Sequence, residues 1–359
     1  MINMLKQTLC CILKYMRYKL YKTSWKAWDA MLHAIDQAKK SVYLEMYIFL
    51  DDTSESHDFM GKLKQKAREG LQVVIIADSF GSSEIKKESV EALRQAGAEF
   101  LFFSHWLRHI HRKILVVDEK IAFIGGVNIG KKFALWNDLQ LRFSGRMVRT
   151  IAKSFAYTYE IAGGKNPKIL ALREKSFAKK FRFWIMEHSP IKNIYSLKDQ
   201  YREKISGAKK SIRMVTPYFT PPRWLRALLD GAIQRGVSIE VIIPKKTDLP
   251  IINRINHRYM HDLSLRGVRF FLTKQMNHSK ALLIDNEIGL IGSQNIDHLS
   301  FEFNSEAGMF SKDRHLIREL AGIMDKWKKD AQEFSPQKYK MKFIDYIILA
   351  LLKILNPIL

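Results

Sequence analysis

An α/β fold built from two copies of one unit is predicted by three features of this 359-residue sequence. A histidine, a lysine two residues on, an aspartate five further, then Gly-Gly or Gly-Ser and an asparagine occurs twice, as His111, Lys113, Asp118, Gly125-Gly126, Asn128 and as His278, Lys280, Asp285, Gly292-Ser293, Asn295. Three further anchors precede each copy in the same order and at nearly constant offset. Short apolar, β-branched runs alternate with helix-compatible stretches throughout, the pattern of strands joined through helices packed on the sheet faces.

In chain order, the first element is a cationic amphipathic segment over residues 1–30. It mixes Leu5, Leu9, Ile12, Met16, Leu20, Trp25 and Trp28 with Lys6, Lys14, Arg17, Lys19, Lys22 and Lys26. Its longest uncharged stretch is too short to span a bilayer and no small-residue cleavage site follows it, so the segment reads as an interfacial helix. Cys10 and Cys11 lie side by side in it. Neighbouring residues on a helix do not form an ordinary disulfide, and no oxidising compartment is implied.

The first unit occupies 31–164 and the second 201–335. Ala38-Lys39-Lys40-Ser41-Val42 leads into the strand-like VYLEMYIF, and Ala208-Lys209-Lys210-Ser211-Ile212 into IRMVTPYF. Arg68-Glu69-Gly70 precedes QVVIIAD, and Gln234-Arg235-Gly236 precedes SIEVIIP. LRQAGAEF matches LSLRGVRF, and the motif hairpin follows in both halves. Each unit therefore reads helix, strand, helix, strand, helix, strand, hairpin, with parallel pairing. The basic, aromatic stretch 165–200 reads as a linker. At the far end, within 341–359, FIDYIILALLKILNPIL is apolar apart from Asp345 and Lys353 and fits a monotopic membrane anchor.

Within each motif, residues two apart on a strand share a face, so His111 and Lys113 project together, as do His278 and Lys280. Polar turns at Asp118-Glu119-Lys120 and Asp285-Asn286-Glu287 fold the chain back, which brings Asn128 beside His111 and Asn295 beside His278. Gly125, Gly126, Gly292 and Ser293 leave room for the backbone to approach a ligand. Asp118 and Asp285 fall at the remote end of each hairpin and are expected to be structural. Five matched positions occur by chance in fewer than roughly one chain in a thousand, and two copies in register far more rarely.

These residues resemble the phospholipase D superfamily, and within it the bacterial cardiolipin synthases. The paired motifs carry the superfamily; LEMYIFLDD, VVIIADSFGSS, WNDLQLRFSG, TPYFTPP and GSQNID followed by FNSE carry the narrower likeness, over about residues 30 to 310. The resemblance implies two α/β/α sandwich domains with one active site at their interface. It implies that one histidine attacks phosphorus to give a phosphohistidine while the other protonates the leaving alcohol and then activates the incoming one. It assigns the nucleophile to His111 and places Glu306 behind His111 and Asp138 behind His278, crosswise between the halves.

The residue types suit that chemistry. Imidazole titrates near neutrality, so one ring can serve as nucleophile and the other as acid. Lys113 and Lys280 supply positive charge for the phosphate oxygens, and Asn128 and Asn295 supply hydrogen-bond donors. Neither a metal nor a cofactor is required; His105 and His109 stand near His111, but no cysteine accompanies them.

Sixty Lys and Arg against 36 Asp and Glu give a formal charge of +24, which favours a polyanionic partner. An anionic membrane surface fits the amphipathic ends better than nucleic acid does, and the resemblance implies phosphatidylglycerol as the anionic phospholipid substrate. Six cations near an anionic surface contribute roughly 1 kcal/mol each before screening. The expected activity is transfer of a phosphatidyl group between two phosphatidylglycerols to give cardiolipin and glycerol, at the inner membrane of a bacterium with the domains on the cytoplasmic side. The alternatives are a phospholipase D-type hydrolase, with water as acceptor, and a nucleic-acid phosphodiesterase whose basic surface tracks phosphates.

Overall fold

A run such as Ser41–Met46 (SVYLEM) is buried along its whole length, as a strand must be when both faces of its sheet are covered. The computed structural model describes residues 16–174 and 183–338. In the first half the strands are β1 (Tyr18–Thr23), β2 (Ser41–Met46), β3 (Gln72–Asp78), β4 (Glu99–Phe103), β5 (Lys113–Val117), β6 (Ile121–Gly125) and β7 (Asn137–Ser144). They form a sheet of order β1-β7-β6-β5-β2-β3-β4. In the second half β8 (Phe183–His188), β9 (Ser211–Val215), β10 (Ser238–Pro244), β11 (Arg269–Thr273), β12 (Ala281–Ile284), β13 (Ile288–Gly292), β14 (Glu306–Ser311) and β15 (Gln332–Glu333) form a sheet of order β15-β11-β10-β9-β12-β13-β14-β8. The series β2 to β7 and β9 to β14 have the same internal order, so the duplication read in the sequence is a duplication of topology.

The pairing is mixed rather than parallel throughout. Strands β2, β3 and β4 run parallel, but the hairpin β5–β6 and the strand β7 add antiparallel neighbours, and the second sheet repeats this. The reversal within each hairpin comes from a tight three-residue turn. Asp118 and Glu119 have φ of 53° and 52°, and Asp285 and Asn286 have 55° and 52°, the left-handed pair that closes a tight hairpin.

Each sheet has two covered faces. The outer face of the first packs on the helices Ser24–Asp36, Phe59–Arg68 and Lys87–Gln95 through Trp28, Met31, Leu63 and Leu93. The outer face of the second packs on Ser196–Ser206, Arg223–Gln234 and Pro250–Ser264. The inner faces share one apolar core. Ile114, Val116 and Leu141 of the first half lie in it with Leu283, Ile291 and Met309 of the second, closed by the helices Val148–Ile161 and Arg314–Lys329.

Two expectations are corrected here. Residues 18–30, read as part of an interfacial helix, are built into the first half. Tyr18–Thr23 adds an edge strand antiparallel to β7, and the following helix, capped by Thr23, buries Ala27 and Trp28 completely. Lys19 and Lys22, both exposed, are as compatible with an edge strand as with a charged helix face, and the sheet wins because it supplies partners for the backbone. Part of the expected linker is folded as well: Phe183–His188 pairs with β14 and takes in the second sheet the place that β1 holds in the first. Residues 1–15 of the cationic segment, 175–182 of the linker and the apolar segment 341–359 lie outside the described residues.

Candidate active site

Both motif hairpins point their open ends at the boundary between the halves, and backbone bridges fasten them there. Ile110 bridges to Ser305, with His111 N–H donating to Ser305 O at 2.9 Å and Ser305 N–H to His109 O at 2.7 Å. Asn137 bridges to Asn277, with His278 N–H donating to Asn137 O at 2.8 Å. Each histidine is thus anchored to the strand start that carries the other half's acid.

The side chains follow. His111 Nδ1 lies 2.9 Å from Glu306 Oε1, and His278 Nδ1 lies 2.8 Å from Asp138 Oδ2. All four residues are almost wholly buried. A carboxylate on Nδ1 fixes that nitrogen as a donor and leaves Nε2 for chemistry. Ser293 Oγ donates to the second oxygen of Glu306, while Asp138 accepts from Leu139 N–H at 2.7 Å. The two halves therefore support their acids differently.

Lys113 and Lys280 lie beneath the histidines. Lys113 Nζ donates to His111 O at 2.6 Å and stands 4.9 Å from the centre of the Tyr47 ring; Lys280 Nζ donates to His278 O. Neither lysine lines the cleft above, whereas His111, His278, Asn128 and Asn295 do. The amide oxygens of Asn128 and Asn295 are buried without a hydrogen-bond partner among the described residues, so these side chains are not committed to the protein.

Burial and crowded positive charge set the electrostatics. Burial, then Lys113 and Lys280, hold His111 well below the ordinary imidazole value. Burial and Lys280 also lower His278, against the opposing pull of Asp138. Burial pushes Lys113 far down and Lys280 to about 8, and raises Glu306 to about 7. Taking a charge out of water disfavours it, and an anion entering the cleft would restore the cations at once.

The hairpin ends serve the site indirectly. The Asp118 carboxylate accepts from the backbone N–H groups of Lys39, Lys40 and Ser41, and Asp285 from those of Lys209, Lys210 and Ser211, so each fastens its hairpin to the start of the neighbouring strand. The glycines make room for the protein rather than for a ligand. A Cβ on Gly126 would stand 2.2 Å from Asp138 Oδ1, one on Gly125 2.1 Å from Leu139 O, and one on Gly292 2.7 Å from Ala307 O. The expectation that they admit a ligand is corrected accordingly: the close approach is to β7 and β14, which bring in the acids.

Several residues of the site were not singled out from the sequence. Tyr47 packs edge-on against His111 with ring centres 4.7 Å apart, and Trp136 and Tyr218 lie 5.5 and 6.4 Å from His278. Trp28 Nε1–H donates to Asn128 O at 2.9 Å, so a tryptophan expected at a membrane surface holds an asparagine of the site. His109 is claimed by Asp78 at 3.2 Å, which also accepts from Ile110 N–H at 2.9 Å. Asp297, half-buried in the cleft wall and raised to about 6 by desolvation, caps the short helix His298–Glu302. The signal that could have found the tyrosines is their place just past β2 and β9, whose apolar runs are repeat anchors.

The cleft has a volume of about 1330 Å³. Its floor holds two imidazoles with free Nε2 positions and two amides, over two buried lysines. The arrangement can hold a phosphodiester between two rings of the same kind with separately tuned protons.

The chain is similar to known proteins over most of its length. The family model described as cardiolipin synthase, PLD-like domain, matches residues 31–155 and 201–328. The minor cardiolipin synthase ClsB of Bacillus subtilis (strain 168) is 30% identical, the match covering 89% of this chain and 84% of that protein. The probable cardiolipin synthase YwiE of the same organism is 28% identical over 89% of this chain and 67% of its own length. Among solved structures, the phosphatidylserine synthase of Haemophilus influenzae Rd KW20 superposes with a TM-score of 0.74 at 14% identity, covering 95% of this chain and 93% of that one.

Proposed function

Since the chain belongs to the PLD-like domain family of the cardiolipin synthases, we propose that it carries out phosphatidyl transfer between two phosphatidylglycerol molecules, giving cardiolipin and glycerol through a phosphohistidine. It is a phosphatidyltransferase of the phospholipase D kind. The observation that carries the finer reading is the crosswise pairing of each histidine with the other half's acid, at 2.9 and 2.8 Å. That pairing leaves two equivalent Nε2 atoms facing one cleft, which displacement at phosphorus through a covalent intermediate requires.

In this reading His111, held neutral by burial beside Lys113 and Lys280, attacks phosphorus through Nε2. The N–P bond forms as the P–O bond to the glycerol headgroup breaks. His278, charged once the anion is bound, gives the leaving oxygen its proton. It then takes the proton of the acceptor hydroxyl, which attacks phosphorus and releases His111. Asn128 and Asn295 donate to the phosphate oxygens, and the buried charges of Lys113 and Lys280 stabilise the pentavalent state from below.

Apolar walls favour a lipid over a nucleic acid. Phe133, Trp136, Trp224, Leu249, Ile252 and Ile255 face the cleft, and the large apolar side chains of Phe80, Trp106, Leu135, Leu249 and Ile251 are exposed. Among the described residues no helix is long and apolar enough to cross a membrane. The enzyme in this reading works on the cytoplasmic face of a bacterial inner membrane, held by surface charge and exposed apolar side chains. The full chain should sediment with phosphatidylglycerol vesicles at low salt and be released from them by raised ionic strength; indifference to anionic vesicles would remove membrane docking from the proposal.

Expression in a host devoid of cardiolipin tests the activity. The parent chain should produce cardiolipin and the H111A/H278A variant should not. Phosphatidic acid in place of cardiolipin would assign a hydrolase, and nuclease activity without either lipid product would assign the nucleic-acid alternative.

A further inference from the structure

The chemistry above uses the floor of the cleft, yet its volume of about 1330 Å³ exceeds the roughly 300–1,000 Å³ of a site for one small ligand. The wall supplied by the second half carries cations that no step employs. Arg223 and Arg226, three residues apart, share one face of the helix Arg223–Gln234, and Arg258 comes from the helix Pro250–Ser264. The Arg226 guanidinium stands 5.6 Å from the centre of the Tyr259 ring, and Tyr259 and Arg258 line the same cleft.

These groups are only partly satisfied. Arg258 is paired with Asp262 through Nη1, but its Nε–H is buried without an acceptor among the described residues. The same holds for the Nε–H of Arg226 and the Nε1–H of Trp224. A buried donor left unmet is costly, which favours turning these side chains toward an acceptor that arrives with a ligand. Two arginine forks and an indole N–H match the non-bridging oxygens of a phosphodiester.

We propose that Arg226, Arg258 and Trp224 bind the phosphate of a second glycerophospholipid, the acceptor, with Arg223 adding charge at the entrance. The site rests on the phosphatidyl-transfer reading and gives that reading its acceptor specificity. With its phosphate held on this wall, the acceptor's headgroup hydroxyl can reach the phosphohistidine. The new O–P bond forms as the N–P bond to His111 breaks, and the hydroxyl proton passes to His278, so atoms and charge balance without a co-reactant. Water lacks the phosphate and gains nothing from the wall.

The test is the partition of product by the full-length enzyme on phosphatidylglycerol vesicles, measured as the ratio of cardiolipin to phosphatidic acid. In R226A, R258A and the double variant that ratio should fall, by about tenfold for each guanidinium removed. R226K and R258K keep the charge but not the fork and should give ratios between those of the parent and the alanine variants; they decide the matter if the alanine variants do not fold. An unchanged ratio in folded variants, whatever the total rate, overturns the acceptor site while leaving phosphatidyl transfer intact. A parent enzyme that makes no cardiolipin overturns both.

Discussion

Glu306 is held at about 7 by burial and Lys280 at about 8 by burial, so the two groups bracket the range in which the site is correctly charged. As pH falls through about 7, Glu306 takes a proton and no longer orients His111 as a carboxylate. As pH rises through about 8, Lys280 loses the charge that it places beneath the histidines. A narrow bell is therefore expected for kcat/KM, with limbs near those values in the free enzyme. K280R, whose charge does not titrate in this range, should lose the basic limb and keep the acidic one. Two unchanged limbs in K280R would show that another group governs the alkaline side. Further from the chemistry, Arg112 sits between His111 and Lys113 in sequence but faces the opposite way. It is bound by Glu45 through two hydrogen bonds of 2.7 and 2.6 Å and by Ser154 and Thr158, which pins the strand from behind.

At the scale of elements, the hairpins depend on one carboxylate each. Burial alone would raise the pKa of Asp285, but the backbone N–H groups of Ser211, Lys209 and Lys210 pull it below the ordinary value. A depressed carboxylate contributes stability that is present above its unfolded pKa and is lost as pH falls through the folded one. D285A should therefore destabilise the protein by about 2 kcal/mol in urea at neutral pH, and the difference from the parent should shrink on acidification. A difference that persists unchanged at low pH would assign the effect to the turn's backbone instead.

The hairpins, the parallel strands β2 to β4 and β9 to β11, and the two histidines were legible because each is a local pattern written twice. What was not legible depended on distant partners. β1 is an edge strand only because β7 offers its backbone, and Phe183–His188 is a strand only because β14 does. Trp28 is buried because its helix packs under the loop that carries Asn128, a hundred residues away in the chain. The glycines were read for the wrong neighbour, since the strand they admit lies beyond the motif and its register cannot be counted from the hairpin alone.

The molecule as a whole is two lobes that share a central core and complete one another's catalytic pairs. His111 takes its acid from the second lobe and His278 from the first, through bridges made within one chain. Mixing H111A with H278A protein should thus restore no activity, because each chain lacks one of its own two rings. Activity regained on mixing would mean that lobes exchange between chains. The covalent route itself can be tested by capturing the intermediate, using phosphatidylglycerol labelled in its phosphate and quenching under conditions that preserve phosphohistidine. Label should appear on H278A, located at His111, and not on H111A. Label on H111A at His278 would reverse the roles of the rings, and label on neither, from variants that still bind the lipid, would contradict a phosphohistidine altogether.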